Sequence, residues 1–380
     1  MRALIAAACV LMQSVLQPAS APVAVWRVAG EGHGRPANDL STVYFLSSRH
    51  EVVALNADTG ATRWRQNTSE PGTTTEGSAV VVAGTVVVAG DYNLVAFDRT
   101  TGAFRWRFVP ALGYAPGIYL GAAVRGLVFA GSPAGRMYAV SSGSGELVWS
   151  TVIATDGRTT VFQPVADGTA VAAGYTSFVA PNVGGVVLLD PMTGRERWRT
   201  AFPRPRDPLL GTGSTGGPIL AGDLVIASSG DGTIYAFDRV KGSIRWTLPP
   251  IPAVPPILQG PFPLPTYSAG ADYRPLARSG RLLFAGSLKG HVIAYDLVTK
   301  RESWRYVDDH SGSVSFALTS DEHAVYVPYV SGRHVALNIE NGTERWRTAD
   351  ARDAFNWPAV SMDGLVYLAG GRGGFVALRR

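Results

Sequence analysis

VALNADTGATRW (residues 53–64) has six relatives within the same 380-residue chain. They are VAFDRTTGAFRW (95–106), YAVSSGSGELVW (138–149), VLLDPMTGRERW (187–198), YAFDRVKGSIRW (235–246), IAYDLVTKRESW (293–304) and VALNIENGTERW (335–346). In each, a Trp follows the Gly position by four residues, and an Asn, Asp or Ser precedes that position by four. The alternating run before the turn and the aromatic strand after it read as two strands joined by a tight connection. The Asx side chain accepts from N–H groups inside the turn, and Gly takes the positive φ that closes it. Lys300 alone replaces the Gly, so it is expected to be strained or to sit in a different turn type.

Two further short apolar runs precede each unit, as in SAVVVAG (78–84) and TVVVAGD (85–91) before LVAFD. Each repeat therefore supplies four antiparallel strands, and successive docking Trp positions lie 38 to 58 residues apart. A sheet of that size cannot bury both faces alone, but radial stacking lets neighbouring sheets bury each other. An eighth copy is split. FVALRR (375–380) matches the third strand and then the sequence stops, whereas VAVWRV (23–28) supplies a Trp-bearing fourth strand around Trp26. The expected fold is all-β, an eight-bladed β-propeller of four-stranded antiparallel blades, closed by pairing the N-terminal strand with the C-terminal blade.

This turn-plus-Trp repeat resembles the pyrroloquinoline quinone-type, tryptophan-docked propeller repeat family, over essentially the whole chain after its first 21 residues. The resemblance implies two kinds of relative: quinoprotein alcohol dehydrogenases, and cofactor-free proteins such as the scaffold lipoprotein of the outer-membrane β-barrel assembly machine. WD-repeat propellers carry a Gly-His and Trp-Asp signature that is absent here. Within the repeat, RWR looks like a stacking platform for nucleic acid. One Trp per blade, with arginines that come and go around it, instead reads as a ring packed between sheets, its N–H reaching a turn carbonyl of the next blade.

Residues 1–21 read as an export signal: Arg2, an apolar run from Ala3 to Leu16, and Ala19-Ser20-Ala21 as the cleavage pattern. Residues 22–380 then form a single propeller domain. Cys9 is the only cysteine. It lies inside the apolar run in a poor lipid-processing context, and its removal leaves no thiol for disulfide chemistry. The net charge of +5 comes from 31 Arg and 3 Lys scattered without a like-charge run, so nucleic acid is not an expected partner. Membrane association is expected only through a partner or an uncleaved signal, and the protein is expected to be a monomer.

Loops that join one blade to the next share a face with the hairpins between second and third strands. The long ones are 152–164, 199–218 and 247–275, the last with eight prolines between Pro249 and Pro265. A docking arm for another protein and a plain spacer both fit that composition. Glu76, Gln163, Thr215, Arg274, Ser315 and Asn356, with Trp357 beside the last, stand at the starts of the innermost strands around the channel mouth. They suit an anion or a quinone, and equally suit backbone groups and water in a wet channel. Asp308, Asp309 and His310 carry metal-ligand chemistry, but three adjacent residues on extended backbone cannot all reach one ion, and a solvated loop is the better reading. No metal site and no catalytic residue are assigned.

The resemblance implies that a quinoprotein needs calcium held by Glu, Asn and Asp, an Asp base, and an Arg near the quinone oxygens. Glu76, Asn356, Asp308 and Arg274 are the residues available for those roles, without a local motif to support them. The first functional reading is an exported, non-enzymatic scaffold that binds envelope or secreted proteins through loops 199–218 and 247–275, with no cofactor. The alternative is a small dehydrogenase binding pyrroloquinoline quinone and calcium at the central funnel.

Overall fold

A computed structural model describes residues 21–30, 32–47, 51–68, 79–82, 84–89, 92–110, 117–178, 183–204, 212–214, 216–248, 273–287, 290–308, 312–314, 318–348, 359–370 and 374–380. These form eight antiparallel sheets and no helix. Blade 1, for example, runs Gly32–Asn38, Thr42–Ser47, Glu51–Asn56 and Thr62–Asn67 in spatial as well as sequence order. Blade 4 has five strands because its inner edge is split into Thr159–Val161 and Val165–Ala166. In blade 8, Ala24–Val28 pairs with Gly374–Arg379, setting Trp26 against Ala377. The first strand of the chain thus completes the last sheet, as the split repeat implies.

The core is divided by interface rather than pooled at the centre. Eight clusters of buried apolar side chains each join two adjacent blades; seven contain one docking Trp, and the half-buried Trp246 packs against the eighth. In the cluster between blades 1 and 2, Trp64 packs with Tyr44 and Phe97 at ring-centroid distances of 5.9 and 6.4 Å. Directly opposite each ring on the third strand is a small residue, Ala54 against Trp64 and Ala96 against Trp106, with Leu188 against Trp198 as the exception. The ladder slips by one residue just beyond that pair, so the residue before the Trp occupies a bulge that sharpens the local twist.

The turns explain the motif spacing. Asn56 Oδ1 accepts from the N–H groups of Asp58 and Thr59, both at 3.0 Å, and Asp98, Asp190, Asp238, Asp296 and Asn338 repeat the arrangement. The residue after the Asx presents its carbonyl to the Trp of the preceding blade. Trp26 Nε1 donates to Ala57 O at 2.8 Å, Trp64 to Arg99 O at 3.0 Å, Trp106 to Ser142 O at 2.9 Å, Trp149 to Pro191 O at 3.0 Å, Trp198 to Arg239 O at 2.9 Å and Trp304 to Ile339 O at 3.0 Å. Trp346 faces blade 8, whose third and fourth strands, Gly374–Arg379 and Ala24–Val28, are not consecutive in sequence, and its Nε1 has no partner among the described residues.

The turn Gly is required twice over. Gly102 has φ 72°, and a Cβ there would lie 2.7 Å from Cδ2 of Trp64; Gly60 and Gly242 stand in the same relation to Trp26 and Trp198. The backbone of each turn lies flat against the previous blade's indole. Lys300 keeps the same backbone at φ 57°, so of the two sequence expectations it is strain, not a new turn type, that holds. Its Cβ occupies the place where the other turns leave room, and Trp246 is the one docking Trp that is half-buried.

A second, polar fastener joins three of the eight interfaces. Asp39, Asp167 and Asp321 lie in the turns between first and second strands, and each accepts from two N–H groups of its own turn. Each also meets an Arg of the next blade: Arg99 at 3.9 Å, Arg239 at 2.5 Å and Arg380 at 3.2 Å. Arg99 and Arg239 occupy the position just after the Asx, so there the residue whose carbonyl receives the Trp also sends its side chain back across the interface; Arg380 holds the matching place in blade 8, after Arg379.

Candidate functional site

Antiparallel connectivity puts all Asx turns on one face and all inter-blade loops on the other. The turn face is closed by the hydrogen bonds just described. The loop face and the channel carry what chemistry remains.

Gln163 falls between the two short inner strands of blade 4 and is half-buried. Phe162 N donates to Gly174 O at 3.0 Å, and Ala122 N of blade 3 donates to Pro164 O at 2.8 Å. The segment is therefore a bulge whose backbone is held by both its own blade and its neighbour. On its other side it approaches blade 5, where a Cβ on Gly217 would lie 3.0 Å from Gln163 O. The adjoining loop is anchored by Asp156, which accepts from Arg158 N at 3.0 Å, Thr159 Oγ1 at 2.8 Å and Ser177 Oγ at 2.8 Å, holding its carboxyl below the usual range.

Asp308 follows the Trp304 strand and is 3% exposed at its side chain, against Arg333 at 3.7 Å and Arg347 at 3.9 Å. Arg347 is bound to Glu344 and donates to Tyr306 Oη at 3.2 Å, while Tyr306 donates to Glu344 Oε2 at 2.8 Å. The bond to Glu344 raises the Arg347 pKa further, and burial with the Glu344 bond pushes the Tyr306 phenol up. Asp308 thus belongs to a buried network between blades 6 and 7, its charge committed to two guanidiniums. A cation at that carboxylate would have to compete with both.

Arg274 lies on Tyr273–Ser279, where the ladder jumps from Tyr273↔Ser287 to Leu276↔Ala285, so Arg274 and Pro275 form a bulge on the innermost strand of blade 6. Glu76, Thr215, Ser315, Asn356 and Trp357, with Asp309, His310 and the central parts of loops 199–218 and 247–275, lie outside the described residues. Among the described residues no three His, Cys, Asp or Glu side chains gather as a metal set would.

One polar residue of an innermost strand escaped the sequence reading. Arg35 occupies on blade 1 the position that Arg274 has on blade 6 and Gln163 on blade 4, each followed by Pro. The shared X-Pro step at the innermost strand was the available signal, and the weak hydrophobic pattern of GHGRPAN hid it.

Eight four-stranded blades, six of whose interfaces carry a Trp-to-turn hydrogen bond, define a tryptophan-docked β-propeller. The chain belongs to the family described as outer membrane protein assembly factor BamB, whose profile matches residues 23–170, 156–264 and 266–380. Among curated relatives, the outer membrane protein assembly factor BamB of Nitrosomonas eutropha is 26% identical over 259 residues, 57% of this chain and 57% of that protein. That of Bordetella pertussis is 28% identical over 188 residues, 47% of each. The chain spans about half the length of the curated relatives it matches. BamB from Moraxella catarrhalis superimposes with a TM-score of 0.67 at 17% identity, covering 94% of this chain and 99% of that one. The quinohemoprotein alcohol dehydrogenase from Comamonas testosteroni reaches 0.71 at 15% identity, covering 94% and 76%. At such identities the structural likeness concerns the fold alone, and it extends to both kinds of relative.

Proposed function

We propose that this protein is an exported, non-catalytic scaffold of the cell envelope that binds other polypeptides during assembly of outer-membrane proteins. Residues 1–21 act as the export signal and residues 22–380 as one propeller domain. The observation that carries this reading is the family match running from residue 23 to residue 380 through all eight blades. Two features support it. Asp308, the carboxylate a quinone site would need, is engaged by Arg333 and Arg347, and the loop face combines long proline-rich connections with an anchored loop at 152–164. Partners dock on that face.

The test is affinity capture of the tagged full-length protein from its native envelope after chemical crosslinking. Recovery of outer-membrane assembly proteins is expected. Recovery of no envelope protein neighbour would overturn the reading. Titration with pyrroloquinoline quinone and calcium separates the enzymatic alternative: no change in absorbance or thermal midpoint is expected up to high micromolar quinone, whereas a saturable shift would favour the dehydrogenase.

A further inference from the structure

Leu147–Val152 is the outermost strand of blade 3; it pairs with Arg136–Ser141 and with no other strand among the described residues. Such an edge turns the N–H and C=O of every second residue away from the sheet, a template on which another extended chain can pair. The blades differ in how they guard that template. In each of the other seven an Arg stands directly beside the docking Trp, as Arg65 beside Trp64 or Arg27 beside Trp26, and both of these are exposed. Blade 3 has Val148 and Ser150 in those two places, and LVWSTV contains no charged residue. Exposed along it are Leu147 (50%), Val148 (48%) and Val152 (40%).

The strand is also held ready for pairing. Trp149 Nε1 donates to Pro191 O at 3.0 Å and Thr151 Oγ1 to Gly194 O at 2.7 Å, both on the Asx turn of blade 4. Those two bonds fix one face of the strand to the next blade. On the opposite face Ser150 Oγ accepts from Arg136 Nη1 at 3.3 Å, so this guanidinium belongs to the third strand and one of its N–H groups is already taken. A pre-formed edge needs little ordering when a partner arrives, and β-branched residues suit a pleated neighbour.

We propose that the outer edge of blade 3 pairs with an extended, uncharged segment of another polypeptide, which adds to the sheet as a fifth strand. Charge matching selects a neutral segment, since the strand has no ion of its own to offer, and apolar or β-branched residues of the segment pack on Val148 and Val152. A second copy of this chain fits less well: the edge of a six-residue strand is a small part of the roughly 1,200 Å² that a stable interface between two folded proteins buries. The inference rests on the reading that the protein binds polypeptides, and adds to it a surface on the rim, apart from the loop face, with the class of segment it takes.

The experiment titrates the purified full-length protein with a fluorescent heptapeptide of alternating Thr and Val, capped at both ends and carrying a Gly/Ser solubilising tail, following anisotropy and backbone hydrogen exchange. Saturable binding is expected, with exchange slowed in Leu147–Val152. Val148→Arg gives blade 3 the kind of guanidinium that guards the other edges and should weaken binding by about tenfold or more, while Val298→Arg, at an exposed position of the blade 6 Asx turn, should leave affinity unchanged. The same peptide N-methylated at every residue keeps its side chains but cannot pair, and should not bind. Undiminished binding of the methylated peptide, undiminished binding by Val148→Arg, or no binding by the wild type up to millimolar peptide overturns the proposal. Should Val148→Arg fail to fold, the wild type decides: unchanged exchange in Leu147–Val152 at saturating peptide is equally fatal. A peptide-free dimer that Val148→Arg dissolves would assign the edge to a second copy and overturn the polypeptide assignment. Capture of partners on the loop face does not use this edge, so failure here leaves the scaffold reading standing.

Discussion

Gly102 and Lys300 occupy the same turn position and show what that position is for. The turn must reach a positive φ and also lie against an indole of the neighbouring blade, and only a residue without Cβ does both without strain. Gly102→Ala adds a methyl 2.7 Å from Trp64 and should destabilise by roughly 2–4 kcal/mol, combining overpacking with left-handed strain. In the opposite direction, Lys300→Gly should stabilise by about 1 kcal/mol and bury Trp246 more deeply, giving a blue shift in its fluorescence. Denaturant titration measures both, and a Lys300→Gly protein no more stable than wild type would detach the exposure of Trp246 from the turn. Trp64→Ala should cost about 3–5 kcal/mol by emptying the cluster it shares with Tyr44 and Phe97.

The hairpin that carries these residues was legible because its parts are local. A fixed distance of eight residues from Asx to Trp encodes the turn, the slip in the ladder and the register of the ring. The polar fasteners were not legible, since Asp39 and Arg99 are 60 residues apart and neither belongs to the repeat's constant positions. The same holds for Asp308, which reads locally as part of an acidic loop and is turned into a structural anion by Arg333 and Arg347 from the next blade. Arg35 was missed because a bulged inner strand has no alternation to reveal it.

Charge in the turns makes stability depend on pH. The bond from Arg197 holds the Asp190 carboxyl down at about 2, and the N–H of Lys241 together with Arg245 does the same for Asp238. Arg105 lowers Asp98 likewise. Carboxyls whose folded pKa lies below the ordinary 3.8 contribute stability that is complete above about pH 4 and is lost as pH falls through about 2. The thermal midpoint should therefore be level above about pH 4 and fall steeply toward pH 2, with a shallower fall in Asp238→Asn, in which one such carboxyl is gone. Asp321, which accepts from Tyr326 at 2.7 Å and Ser361 at 2.6 Å besides meeting Arg380, should cost about 1.5–3 kcal/mol on Asp321→Ala, because charged hydrogen bonds across the interface between blades 7 and 8 are lost.

The molecule as a whole is a ring in which each sheet is stable only between two others. Ala24–Val28 closes that ring by completing blade 8 and placing Trp26 against the first Asx turn. Loss of residues 21–29 should expose the edge of Gly374–Arg379 and open the interface with blade 1, lowering stability by roughly 3–5 kcal/mol and promoting self-association visible by light scattering. The proposed function divides the ring by face. The Asx turns hold neighbouring blades together, which under the proposed function leaves the loop face for partners.

That separation is tested most directly by site-specific photo-crosslinking in the native envelope, with a photoreactive residue at Arg158 on the anchored loop or at Val240 on an Asx turn. Both positions are exposed, Val240 by 84%. Protein adducts from position 158 with none from position 240 are predicted. Adducts from position 240 alone, or none from either, would contradict the account.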